Sequence, residues 1–138
     1  TKTPDLTLFP YTTLFRSLIS YFTYDHLTYL FMGDASKQIE KQLMATYDLK
    51  ADVIKVGHHG SNTSSDPDFL DSLDCKIALI SCGYKNKYGH PSVETLKTLE
   101  NLHINTLCTS DCGSIAMYSL FHFSFVVTND GMFGIIWT

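Results

Sequence analysis

Four short apolar runs, each stopped by polar residues, set what this chain can fold into. They are Leu27–Phe31, followed by Gly33-Asp34; Asp52–Val56, followed by His58-His59; Ile77–Ser81, followed by the loop from Gly83 to His90; and Ile104–Cys108, followed by Ser110-Asp111. Runs of this length, with turn residues beyond them, suit buried strands. Between them the pattern takes a helical period. Ser36 stands where a cap belongs, ahead of Ile39, Leu43, Met44 and Tyr47 on one face. Ser65-Asp66-Pro67-Asp68 joins a capping side chain to a first-turn proline and an acid, which predicts a short helix. Pro91 opens a helix through about Asn101, with Val93, Leu96 and Leu99 on one side. Hairpins are expected at both ends: Leu18–Tyr24 with Leu27–Phe31 about Asp25-His26, and Phe121–Thr128 with Met132–Trp137 about Asn129-Asp130-Gly131. Ser114–Tyr118 reads as one more strand. The fold class is therefore α/β, a mixed sheet flanked by helices.

Composition narrows the function classes. With 138 residues, 44% hydrophobic and 17% charged, the chain suits one globular domain or part of one. Its net charge of −4 implies no broad basic surface for nucleic acid. No apolar run is long enough to span a membrane; Phe121–Val127 is short and interrupted by His122 and Ser124. Cys75, Cys82, Cys108 and Cys112 form no CxxC pair and read as free thiols, which leans toward a reducing compartment.

The chemistry gathers where the strands stop, and strand ends are where open α/β sheets bind ligands. Asp34, His58 and His59 are the sharpest features, because a carboxylate and neutral imidazoles suit zinc, manganese or iron. In an extended segment the two adjacent histidines would point opposite ways, one to a metal and one to loop or substrate. Each residue also has a plainer use. Asp34 can cap a helix, a histidine pair in a loop can be surface, and His90 before Pro91 can cap the next helix. Lys85 and Lys87, between Tyr84 and Tyr88, suit a solvated loop. His26, His103 and His122 lie outside these loops and read as structural.

Taken in order, the stretches LFMGDAS, ADVIKVGHHGSNTSS, ALISCGYKNKYGHP and TSDCGSIAM resemble the second half of the metallo-β-lactamase-fold domain of ComEC-like competence proteins and their soluble relatives. The likeness runs from about Leu18 to Met117. It implies half of a four-layer αββα sandwich and a parent that is a metal-dependent hydrolase, with one or two divalent ions, zinc or manganese, at the sandwich edge. By that resemblance Asp34, His58 and His59 are metal ligands and His90 is the catalytic histidine on the substrate side. Ser61, Asn86 and Tyr88, in the same motifs, are assigned to substrate. Phosphodiesters, DNA strands in competence, are the favoured substrate class.

Two features set this sequence apart from that pattern. The family's first ligand cluster, H-x-H-x-D-H, has no counterpart in it. In its place, residues 7–17, TLFPYTTLFRS, resemble the translation of a common sequencing adapter. Residues 1–17 are accordingly expected to be non-native, and residues 18–138 to be the C-terminal part of the domain. The metal site would then be incomplete, the N-terminal half of the same domain its missing partner, and the chain alone inactive. Two other classes compete. One is a non-catalytic binding or scaffold domain that keeps the fold without a complete metal site. The other is a nucleotide-binding α/β domain using Gly33–Ser36 as an anion-binding helix start, against which the absence of a glycine-rich fingerprint counts.

Overall fold

The structure, a computed structural model, describes residues 5–9, 17–120, 123–131 and 133–137. Its larger sheet has six strands in the order β1 (Asp5–Phe9), β2 (Ile19–Tyr24), β3 (Leu27–Phe31), β4 (Val53–Lys55), β5 (Ile77–Ile80) and β6 (Asn105–Cys108). β1 and β2, then β2 and β3, pair antiparallel; β3 through β6 run parallel. Strand order is chain order. The parallel steps are bridged by α1 (Lys37–Thr46), α2 (Pro67–Leu73) and α3 (Val93–Asn101). Every step moves the same way across the sheet, and such crossovers share one hand, so all three helices reach one face. There Ile39, Leu43, Phe69, Leu70, Leu73 and Leu99 pack on Leu30, Ile54, Ala78 and Ile80.

The other face is covered by a second sheet. After the short helix α4 (Thr109–Cys112) come β7 (Ile115–Leu120), β8 (Phe123–Thr128) and β9 (Phe133–Trp137), paired antiparallel in that order. Ile115, Met117 and Val126 pack against Leu27, Tyr29, Val53, Ile77 and Leu79. Successive residues of a central strand therefore serve different cores, as Val53 and Ile54 do. That is why these strands read as unbroken apolar runs rather than alternating ones. The mixed α/β sheet flanked by helices is thus observed, with a β layer on the face the helices leave.

Some local expectations change. Ser36 sits at the start of α1, but its hydroxyl makes no capping bond; its carbonyl accepts from Ile39 and Glu40 N–H at 2.9 and 3.0 Å. The buried face of α1 is Ile39, Glu40 and Leu43, while Met44 and Tyr47 are exposed. α3 begins at Val93, two residues after Pro91, and the capping side chain is Ser92, which accepts from Thr95 N–H. Val93 and Leu96 are exposed, and Thr95 and Leu99 are buried. His58 and His59 are not extended. They lie in a 3-10 turn, Gly57–Gly60, at φ 48° and 56°. The first residues expected for the last two strands, Phe121, His122 and Met132, lie outside the described residues.

Part of the set-aside N-terminal segment pairs with the sheet: β1 lies antiparallel along β2, Asp5 opposite Thr23 and Phe9 opposite Ile19. Residues 1–4 and 10–16 lie outside the described residues. An edge pairing is made by backbone groups that nearly any sequence can offer, so it does not bear on where this segment came from.

Candidate functional site

Because β3 to β6 are parallel, their C-terminal ends share one edge, and the four polar clusters fall along it. Asp34 follows β3. The turn carrying His58 and His59 follows β4. The loop with Asn86, Tyr88 and His90 follows β5, and α4 follows β6.

The turn is built by its neighbours. His58 N–H donates to the Gly33 carbonyl at 2.9 Å, which ties the histidine turn to the loop holding Asp34. Three successive residues, His58, His59 and Gly60, have positive φ. For non-glycine residues this conformation is costly, and it persists only where the surroundings enforce it. Ser64 supplies part of that enforcement: its hydroxyl, 2.8 and 2.9 Å from the Gly57 and Ser61 carbonyls, is buried beneath the turn.

The turn aims the imidazoles at different partners. His59 Nδ1 lies 2.6 Å from the Ser81 carbonyl oxygen. A carbonyl only accepts, so Nδ1 is the donor and the neutral ring carries its lone pair on Nε2. That Nε2 lies 3.8 Å from Asp34 Oδ1, both side chains being more than half exposed. Two electron-pair donors thus stand side by side. A cation between them, a proton on Nε2 or a metal ion, resolves the contact, and a backbone carbonyl holding the far nitrogen is how metal-ligating histidines are commonly oriented. His58 turns the other way, its Nδ1 3.1 Å from Thr63 Oγ1 and its ring 6.0 Å from that of His90.

His90 is set by Asn86. The Asn86 side chain accepts from the N–H of Tyr88 and of His90 and donates to the Gly83 and His90 carbonyls, closing the loop on itself. The Tyr88 ring stacks on His90 at 5.9 Å. His90 Nδ1 is buried with no hydrogen-bond partner. Tyr84 and Tyr88 stand 74% and 70% exposed, with Lys85 and Lys87 Nζ lying 5.2 and 5.0 Å from their ring centres. Ser61 is 4% exposed; its hydroxyl meets Thr63 Oγ1 at 3.0 Å and its carbonyl accepts from Thr95 Oγ1.

So the structure brings Asp34 to His59 and gathers His58, His90, Tyr88 and Asn86 alongside, while Ser61 lies beneath the turn. Among the described residues no three His, Cys, Asp or Glu side chains converge as a set that could hold a metal ion, and no helix is long and apolar enough to cross a membrane. The helix start at Gly33–Ser36 has its first donor engaged, Lys37 N–H giving to the Thr63 carbonyl at 2.8 Å.

One supporting residue went unread in the sequence. Glu40 is 1% exposed, and its two oxygens accept from Ser65 and Asp66 N–H at 2.9 and 2.7 Å. It fastens the far end of the histidine loop to α1. Burial pushes its carboxyl up to about 7; the two backbone donors pull against that, Asp66 adds to it and Lys37 opposes it. The available signal was its position, beside Ile39 and three residues before Leu43, on the apolar side of the helix.

Fold and rim together define an α/β-sheet protein with carboxylate and imidazole groups grouped at the carboxyl ends of its parallel strands. No family model matches the chain. It is similar to ComE operon protein 3 of Bacillus subtilis, 37% identical over 100 residues that make up 72% of this chain and 13% of that protein. It is 34% identical over 93 residues to Competence protein ComA of Neisseria gonorrhoeae, covering 66% and 13%. To Recombination protein 2 of Haemophilus influenzae it is 37% identical over 70 residues, covering 51% and 9%. These homologues support a competence-protein family at modest identity. The chain spans only a small part of the length of each relative.

Proposed function

We propose that this chain carries part of the active site of a metal-dependent hydrolase of the metallo-β-lactamase fold that acts on phosphodiesters, DNA strands among them. The observation that carries this reading is the pair formed by Asp34 Oδ1 and His59 Nε2, 3.8 Å apart, with the Ser81 carbonyl fixing the imidazole from behind. A carboxylate and a neutral imidazole are suitable donors for zinc or manganese. A divalent ion there would supply Lewis acidity toward a phosphoryl oxygen and a nucleophile from water near neutral pH. Asp34 and His59 would hold it, with His58 turned toward the substrate side. His90 lies beside His58 and Tyr88, where a ring nitrogen can move a proton to or from a leaving oxygen. The exposed Tyr84 and Tyr88 offer ring surface, and Lys85 and Lys87 beside them offer positive charge, to a nucleotide chain.

Two donors are too few for a tight site. In this reading the remaining ligands belong to the N-terminal half of the same domain in a longer parent. The expected outcome is that the 138-residue chain, supplied with manganese or zinc, binds metal weakly and does not hydrolyse a chromogenic phosphodiester or single-stranded DNA. A longer parent carrying this segment should do so in a chelator-sensitive way and lose turnover on Asp34→Ala. Chelator-sensitive hydrolysis by the short chain would refute the incomplete site, and a parent indifferent to Asp34→Ala would refute the residue assignment.

A further inference from the structure

Two cysteines that read as separate free thiols meet at the same sheet edge. Cys82 follows β5 and Cys108 ends β6, and their sulfurs lie 3.2 Å apart. Both are free. They span adjoining strands, since Ile80, two residues before Cys82, is paired with Cys108. The backbone around them is already laced together: Cys82 N–H donates to Thr109 Oγ1 at 2.9 Å, and the Thr109 hydroxyl donates to the Cys82 carbonyl at 2.9 Å. Neither thiol is committed elsewhere by a strong bond; Cys108 Sγ has the Ser110 hydroxyl at 3.0 Å. A disulfide needs its sulfurs at about 2.05 Å, so the contact closes with a short side-chain movement between backbones that are already held.

We propose that Cys82 and Cys108 are a reversible redox pair, oxidised by a hydroperoxide to a disulfide that joins the ends of β5 and β6 behind the histidine turn. Cys82 is half-buried and meets the oxidant; Cys108 is buried, out of the peroxide's reach, and acts second. The Cys82 sulfur attacks one peroxide oxygen and the O–O bond breaks. The alkoxide leaves with the proton given up by the thiol, so the products are a Cys82 sulfenic acid and an alcohol, or water from hydrogen peroxide. The Cys108 sulfur then attacks the sulfenic sulfur. The S–S bond forms, the S–O bond breaks, and hydroxide departs with the Cys108 proton as water. Two thiols are oxidised and one peroxide is reduced. The step bears on the rim, because Ser81, whose carbonyl holds His59 Nδ1, immediately precedes Cys82. It does not depend on the rim binding a metal.

The test uses the whole chain, reduced, freed of reductant and exposed to hydrogen peroxide. The free-thiol titre should fall from four to two. The intact mass should drop by two hydrogens, and a digest should yield the Cys82 and Cys108 peptides joined, all reversed by dithiothreitol. Cys108→Ser should stop at a Cys82 sulfenic acid that dimedone traps, and Cys82→Ser should form no cross-link. A disulfide through Cys75 or Cys112, oxygen addition to the unsubstituted chain without a cross-link, or no reaction in the folded chain while the urea-unfolded chain reacts would each overturn the proposal.

Discussion

At His58, His59 and Gly60 the backbone holds left-handed conformations in succession, and only the glycine adopts its φ of 79° without penalty. A Cβ on Gly60 would also stand 2.8 Å from Pro91 Cβ and 3.3 Å from Ile80 Cγ2. Gly60→Ala should therefore cost about 1–3 kcal/mol, read from the urea midpoint, and an unchanged midpoint would show that the turn is not held as described. Glu40 makes a pH-dependent prediction. Its carboxyl is raised from 4.5 to about 7. A raised acid contributes stability in full below its unfolded value and loses it as pH climbs through the folded one. The shift corresponds to roughly 3 kcal/mol, so the urea midpoint should fall between about pH 5 and pH 8. Glu40→Gln, which stays neutral at every pH and has the shape of the protonated acid, should show a flatter profile. A wild-type midpoint that rises over that range would contradict the assignment. Asp34, His58 and His59 were legible as a rim because each follows an apolar run. Glu40 and the Ser81 carbonyl were not, because their partners are backbone groups distant in sequence, and backbone leaves no residue type to read.

Elements were legible where pattern and packing agree. β3 to β6 and the three crossover helices fall where apolar runs and capping residues put them, with shifts of one or two residues at their ends. The helix faces were less so: Met44 and Leu96 point outward, while polar Glu40 and Thr95 go inside, because each has hydrogen-bond partners waiting there. α3 shows how an element positions the site. Ser92 Oγ accepts from Thr95 N–H at 3.2 Å and donates to Thr95 Oγ1 at 3.0 Å, which donates in turn to the Ser61 carbonyl just past the histidine turn. Ser92→Ala removes the cap and the first link. It should lower stability by about 1 kcal/mol, and faster amide exchange should appear in the first turn of α3 and at Gly60–Thr63. Exchange confined to the helix would show that the link carries nothing.

For the whole molecule, the two-core arrangement predicts that the centre of the sheet carries the stability and its border strand β1 carries little. Leu30 has no exposed surface, and Leu30→Ala should cost about 2–5 kcal/mol. Deleting residues 1–16 removes the edge strand β1 and should leave thermal stability about unchanged; a loss above about 2 kcal/mol, the scale of a well-buried large apolar side chain, would show that β1 is part of the core. The match of strand order to chain order carries a further consequence. A sheet laid down in sequence, each strand beside the last, has its oldest strand at one border and no later strand threaded between earlier ones. A splice or fusion ahead of β2 therefore exchanges a border and leaves the middle untouched, so the N-terminal side of this fold is a natural join, open to replacement by other polypeptide while the parallel strands and their loops keep their places.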